Sequence, residues 1–224
     1  MSKARIDISN YCDLDKFPFQ GIFEEYFHAY EVLPDIKKII AELMQNLSSE
    51  YTEIKENIFV GRDCSIDVTA TLVGPCIIGS GSNIRAGAYI RENVLLGNKC
   101  VVGNSSEIKN SILFNEVQAP HFNYVGDSIL GYKSHIGAGV ILSNLKSIES
   151  TVSIMIDGLK IDTGLRKFGA IIGDHSEVGC NAVLFPGSII GKNSVIYPLV
   201  AFRGSLASNS IVKNKNPIEV ITKK

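Results

Sequence analysis

From Val60 onward, every sixth residue of the chain is large and apolar: Val60, Ile66, Leu72, Ile78, Ile84, Ile90, Leu96, Val102, Ile108 and Phe114. If about a third of positions are of this kind, such a run arises by chance roughly once in 10⁵. Four positions after each of them stand Cys64, Ala70, Cys76, Ser82, Ala88, Val94, Cys100 and Ser106, mostly small, and Gly often follows directly (Gly61, Gly79, Gly97, Gly103). The pattern resumes in a shifted register at Tyr124, Leu130, Ile136 and Leu142. It returns at Ile172, Val178, Leu184, Ile190, Ile196 and Phe202. A period of six matches neither the 3.6 of a helix nor the two of an alternating strand. Short strands joined by tight corners satisfy it. One aliphatic side chain per strand points inward, a small residue fills the remaining space, and Gly or a small polar residue takes the corner. The pattern predicts an all-β solenoid, a parallel β-helix of hexapeptide repeats.

The repeat resembles that of the hexapeptide acyltransferases. That resemblance implies a left-handed helix with three hexads, or 18 residues, per coil, six or seven coils, and trimerisation through the side faces. Three regions break the repeat. Residues 1–58 precede it; Ile36, Ile39, Ile40, Leu43, Met44 and Leu47 share one helical face, and Phe17, Phe19, Phe23, Tyr26, Phe27 and Tyr30 form an aromatic cluster. This segment reads as a partly helical cap over the first coil, because an open β-helix end is an exposed sheet edge. Within the solenoid, 59–215, a loop is expected near 115–123. A β-hairpin insertion is expected near 145–170, with Asp157-Gly158 in its turn. Residues 216–224 read as a tail.

Composition adds exclusions. Of 224 residues, 45% are hydrophobic and 20% charged, and the net charge is −1, which argues against disorder and against nucleic acid or an anionic membrane as partner. No apolar stretch is long enough to span a membrane and the N-terminus lacks a signal-peptide core, so a cytoplasmic protein is expected. The five cysteines form no CxxC and no zinc-ligand cluster, so no metal is expected. Their separations of 12 and 24 from Cys64 to Cys76 to Cys100 put those three in the small inward slot, as buried hydrophobes.

Arg91 and Lys109 follow Ile90 and Ile108 and lie 18 apart, which stacks the two cations on neighbouring rungs about 4.8 Å apart. They either share an anion, for which a phosphate is apt, or splay into water; position alone leaves both open. His121, in PHFNYVGDS, sits where the register breaks, beside Tyr124 and Asp127. A histidine there suits proton transfer from an attacking amine, whereas His135 and His175 read as structural or surface residues. Three histidines on a β-helix also suggest a zinc hydratase, but separations of 14 and 40 do not fit its ligand triad.

Five motifs carry a more specific resemblance: GAYIR (87–91), EIKNS (107–111), PHFNYVGDS (120–128), IGAGVILSN (136–144) and RKFGAIIGD (166–174). In order, and in spacing from 91 to 144, they are similar to the C-terminal acetyltransferase domain of bifunctional glucosamine-1-phosphate acetyltransferase/N-acetylglucosamine-1-phosphate uridyltransferases and to archaeal-type sugar-1-phosphate nucleotidyltransferase homologues. The resemblance implies acetyl-CoA as co-substrate and an amino-sugar 1-phosphate as acceptor, within nucleotide-sugar biosynthesis. It implies His121 as general base with Glu107 orienting the reacting groups, and Arg91, Lys109 and Lys167 on the sugar phosphate. It puts Tyr124 and His135 at the sugar, and Ala138, Asn144 and Cys180 along acetyl-CoA. His135 stands where bacterial members have Asn, and Leu145 where they have Tyr. The family's nucleotidyltransferase domain does not fit into residues 1–58, so a stand-alone acetyltransferase is expected. The competing expectations are a non-catalytic trimeric subunit that binds a sugar nucleotide, and an acyltransferase for a nucleotide-linked amino sugar.

Overall fold

The structure, a computed structural model, describes residues 5–156 and 158–215. Residues 1–4 of the expected cap, the expected turn residue Asp157 and the expected tail 216–224 lie outside the described residues. Along most of the chain two or three extended residues alternate with a corner in the left-handed backbone region. Corners fall at Gly81, Gly87, Asn93, Lys99 and Ser105, six residues apart. Asn, Asp and Gly, which tolerate this conformation best, hold many of them. Three corners per coil define three faces. Face A runs from Ile58–Val60 to Ser205–Leu206, face B from Ser65–Ile66 to Ile211–Val212 and face C from Thr71–Leu72 to Ala201–Phe202. Every pairing between coils is parallel, and the chain folds as a left-handed parallel β-helix. The three faces hold nine, eight and seven strands, the ninth being the antiparallel strand Thr52–Lys55 on the first rung of face A. That gives close to eight coils, not six or seven.

The inward slots fill as the hexads require. Ile78, Leu96, Leu130, Ile172 and Ile190 stack in register inside face A with no exposed surface. The small slot holds residues that also satisfy corner carbonyls. Ser82 Oγ donates to Gly97 O, Ser176 Oγ to Gly191 O and Cys100 Sγ to Phe114 O. Burial pushes the Cys76 and Cys100 thiols up to about 12.

Two positions depart from the pattern. The corners at Ser105 and Asn110, and again at Phe122 and Asp127, are only five residues apart. Each short hexad moves the register by one. Leu113, paired with Leu96, therefore takes the inward slot expected for Phe114, and Val125, paired with Ile108, takes the one expected for Tyr124. Phe114 instead stacks on Phe17 of the N-terminal segment at 4.7 Å, and Tyr124 stands on the outside of face C. No loop leaves the helix near 115–123; Gln118–His121 pairs in register with Val101–Asn104.

The N-terminal segment forms 3₁₀ turns and a helix, Ile36–Met44. It does not sit only on the first coil. Asp13 N–H donates to Asp174 Oδ2, Asn115 N–H to Lys16 O and Asn110 Nδ2 to Leu33 O, so it runs along the side of several coils. What it covers is the outer surface of face A. The outward residues Ile77, Leu95, Ile112, Ile129, Ile171 and Ile189 are apolar and fully buried in one core with Ile36, Ile40, Leu33 and Phe23. Burying each is worth about 1.5–3 kcal/mol. The insertion forms the antiparallel hairpin Ser153–Ile156 with Leu159–Asp162, between Ile141–Leu142 of face C and Ala170–Ile172 of face A. Tyr30 meets Phe168 at its base, 5.5 Å between rings.

Candidate active site

The corner between faces B and C carries one column that holds three candidate residues, His121, Ala138 and Cys180, with Asn104 on the coil before them. Each stands just before a left-handed corner residue: Asn104 before Ser105, His121 before Phe122, Ala138 before Gly139 and Cys180 before Asn181. Backbone bonds tie the column together. Phe122 N–H donates to Asn104 O, Gly139 N–H to His121 O, Asn181 N–H to Ala138 O and Leu199 N–H to Cys180 O. The expected base and two of the expected acetyl-CoA positions thus stack on consecutive coils along one edge. Cys180 is exposed here, outside the small inward slot. The His121 imidazole is exposed and takes no hydrogen bond or ion pair among the described residues.

The opposite edge of face C collects the cations. Glu107 and Ile108 pair with Tyr89 and Ile90, which sets Lys109 beside Arg91 on adjacent rungs. The two do not share a carboxylate. Arg91 Nη1 meets Glu107 Oε1 at 2.9 Å and Arg91 Nη2 meets Glu92 Oε1 at 3.5 Å, with the guanidinium over the Tyr89 ring. The bond to Glu107 holds the Arg91 pKa above its usual value, and Arg91 Nε is buried without a partner. The half-buried Lys109 has no ionic partner among the described residues, and its neighbour on the next coil is Gly126.

Tyr124 folds over that glycine. A Cβ on Gly126 would lie 2.7 Å from both Tyr124 Oη and Asn144 Nδ2. Burial raises the Tyr124 pKa first, and the nearby Asp127 and Glu107 charges add to it. Beneath it, the buried Asp127 accepts from Asn110 Nδ2 at 2.8 Å and from Asn144 Nδ2 at 2.5 Å. Asn110, Asp127 and Lys167 line a cavity of about 260 Å³ with Arg166, Leu165 and Leu33–Pro34 of the N-terminal segment. Lys167 reaches this edge through a bridge to Leu145 at the base of the hairpin.

Arg91, Lys109 and Lys167 therefore gather at or near one edge of face C, with Glu107 and Tyr124 on its outward surface. His121 lies at the other edge, three residues before Tyr124 and across the left-handed corner at Phe122. Two expected residues fall elsewhere. His135 is on face B, its Nδ1 3.4 Å from Glu177 Oε2. Asn144 is buried with its amide turned to Asp127 and Tyr124, away from the Ala138–Cys180 column. Asn110 and Asn123, which the hexad pattern does not single out, hold these edges in place. The signal for Asn123 is a polar side chain at a position the solenoid buries, whereas Asn110 is a half-buried corner residue. A cavity of about 810 Å³ between Phe19, Tyr26, Leu43 and Tyr51 of the N-terminal segment contains none of the candidate residues.

The fold defines a protein built of hexapeptide repeats in a left-handed parallel β-helix. The family described as GMPPB C-terminal domain matches residues 72–156. The chain is 41% identical over 137 residues to the bifunctional protein GlmU of Methanococcus vannielii, covering 61% of this chain and 32% of that protein. It is 34% identical over 208 residues to the bifunctional protein GlmU of Methanococcus maripaludis, covering 92% of this chain and 50% of that protein. Among solved structures, a hexapeptide transferase family protein from Anaplasma phagocytophilum superposes with a TM-score of 0.50 at 17% identity, covering 67% of this chain and 81% of that one. The chain thus spans a third to a half of the length of these GlmU proteins.

Proposed function

We propose that this protein transfers the acetyl group of acetyl-CoA to the amine of an amino-sugar 1-phosphate. The observation that carries the reading is the two-edged layout of face C. The cofactor column His121–Ala138–Cys180 runs along one edge, the cations Arg91, Lys109 and Lys167 hold the other, and Tyr124 stands between them. Phosphate at the cationic edge orients the sugar so that its amine reaches the thioester near His121. The amine nitrogen attacks the thioester carbonyl, forming the C–N bond, and His121 takes the ammonium proton. The tetrahedral intermediate collapses with cleavage of the C–S bond, and the proton returns to the leaving CoA thiolate. Glu107 fixes the Arg91 fork. No acyl-enzyme forms, so the thiols take no part.

The same reading has the chain acting as a homotrimer in the cytoplasm, in nucleotide-sugar biosynthesis. The five free thiols suit a reducing compartment. The test is thiol release from acetyl-CoA by the purified chain, with glucosamine-1-phosphate, galactosamine-1-phosphate and UDP-linked amino sugars offered in turn. Turnover with a sugar phosphate is expected, and His121→Ala lowers kcat by about 10²–10⁴ with the trimer intact by light scattering. Turnover only with the UDP-linked amines assigns a nucleotide-linked acceptor. None with any acceptor assigns a non-catalytic subunit.

A further inference from the structure

We infer that Asn123, with Ser106, is a positioning residue for His121; the inference rests on the proposed role of His121. At six corners between faces B and C the residue after the left-handed position points into the core. These are Ala88, Ser106, Asn123, Val140, Ala182 and Val200, all buried. Four are apolar, as the solenoid needs. The two polar ones are neighbours on consecutive coils, and they sit at the His121 corner. Burying them is not demanded by the fold, because the coils on either side do without.

Their hydrogen bonds show what they are spent on. At Ala88, Ser106, Val140, Ala182 and Val200 the N–H closes a turn onto the carbonyl three residues back. At Asn123 the N–H instead donates to Ser106 Oγ at 3.2 Å. The Asn123 side chain, 3% exposed, uses both ends. Its Oδ1 accepts from His121 N–H at 3.1 Å and from Ser106 Oγ at 3.2 Å, and its Nδ2 donates to Gly137 O at 2.7 Å. A flipped amide would set N–H against N–H and oxygen against oxygen, so the orientation is determined. Below the same corner, Gly103 lets the chain approach closely; a Cβ there would overlap the Pro120 carbonyl. The imidazole has no partner of its own among the described residues, so its place is set through its backbone, and Asn123 fixes that backbone.

The test replaces the polar pair with what the other coils use. The double variant Ser106→Ala/Asn123→Val gives this corner the residue types of the other coils, where the N–H after the corner closes onto the carbonyl three residues back, so the fold, the trimer and the Tm are retained within about 5 °C. Its kcat falls about 10–100-fold with KM for acetyl-CoA and for the sugar phosphate changed less than threefold, the loss expected of a misplaced base. A folded double variant with the wild-type kcat overturns the inference, and so does a loss carried by KM alone. A second readout needs no activity: exchange of the His121 backbone amide is slow in the wild type and fast in Asn123→Ala and in the double variant. Equal protection in all three overturns the positioning role. If the wild type acetylates no acceptor, the reaction assignment fails while the exchange result still decides the positioning claim.

Discussion

At the level of single residues, the thiols separate structure from chemistry. Cys12, Cys76 and Cys100 are buried, and desolvation raises all three pKa values. A thiolate is the nucleophile in alkylation, so these groups stay inert until the chain unfolds. Cys180 is exposed in the column that continues from His121 through Ala138. A maleimide at neutral pH is therefore expected to label Cys180 first in the native protein, with Cys12, Cys76 and Cys100 labelled only in denaturant. If acetyl-CoA lies along the column, adding it slows Cys180 labelling severalfold, read by peptide mass spectrometry. An unchanged rate at saturating acetyl-CoA removes Cys180 from the cofactor site. The 12- and 24-residue spacings were enough to place Cys76 and Cys100. Nothing local to Cys180 told its exposure, which depends on where its corner falls in the stack.

The elements show what the period could and could not convey. Counting one aliphatic residue in six revealed the solenoid, but it ignored the residue beside it. In the strands Cys76–Ile78, Val94–Leu96, Ala170–Ile172 and Ser188–Ile190 the outward middle position is also Ile or Leu. The matching positions of face C are Thr71, Tyr89, Glu107, Tyr124, Ile141, Val183 and Ala201. An apolar outward row on one face of three is the signature of a covered face, and the N-terminal segment is the cover. The five-residue hexads ending at Asn110 and Asp127 were harder to see, since one missing residue moves every later side chain to a new slot. They also shape the cationic edge, because they bring Asn110, Asp127 and Asn144 together. That cluster joins residues 17 apart in a repeat of 18, and it is set by stacking. Leu95 tests the covered face. Leu95→Ala is expected to cost about 2–5 kcal/mol in urea unfolding and to make the N-terminal segment cleavable by protease. Val183→Ala, outward on face C, costs less than about 1 kcal/mol. Similar losses for the two would mean the segment is not held through this face.

Across the whole molecule, inward residues from every coil merge with the N-terminal segment into one continuous core. Ionisable groups sealed in that core tie stability to pH. Burial is the largest cause of the raised pKa of Cys76, Cys100 and Tyr30, each to about 12. For an acid whose folded pKa is raised, the neutral form is favoured by folding. The stability it supports is fully present below the unfolded pKa and is lost as pH climbs through the folded one. For the two thiols that window opens near 9.0 and closes near 12. A shift of this size corresponds to about 4 kcal/mol per thiol once titration is complete. Stability measured by urea unfolding should therefore be flat from neutral pH to about 8.5 and fall steeply between pH 9 and 11. Cys100→Ser isolates one contribution, because serine already fills the equivalent slots at Ser82, Ser176 and Ser194 and does not ionise in this range. That variant keeps the neutral-pH stability within about 1 kcal/mol and shows a shallower alkaline decline. A decline as steep as the wild type's would place the lost stability at Cys76 and the tyrosines instead, and would show that the Cys100 slot admits water or base without opening the coil.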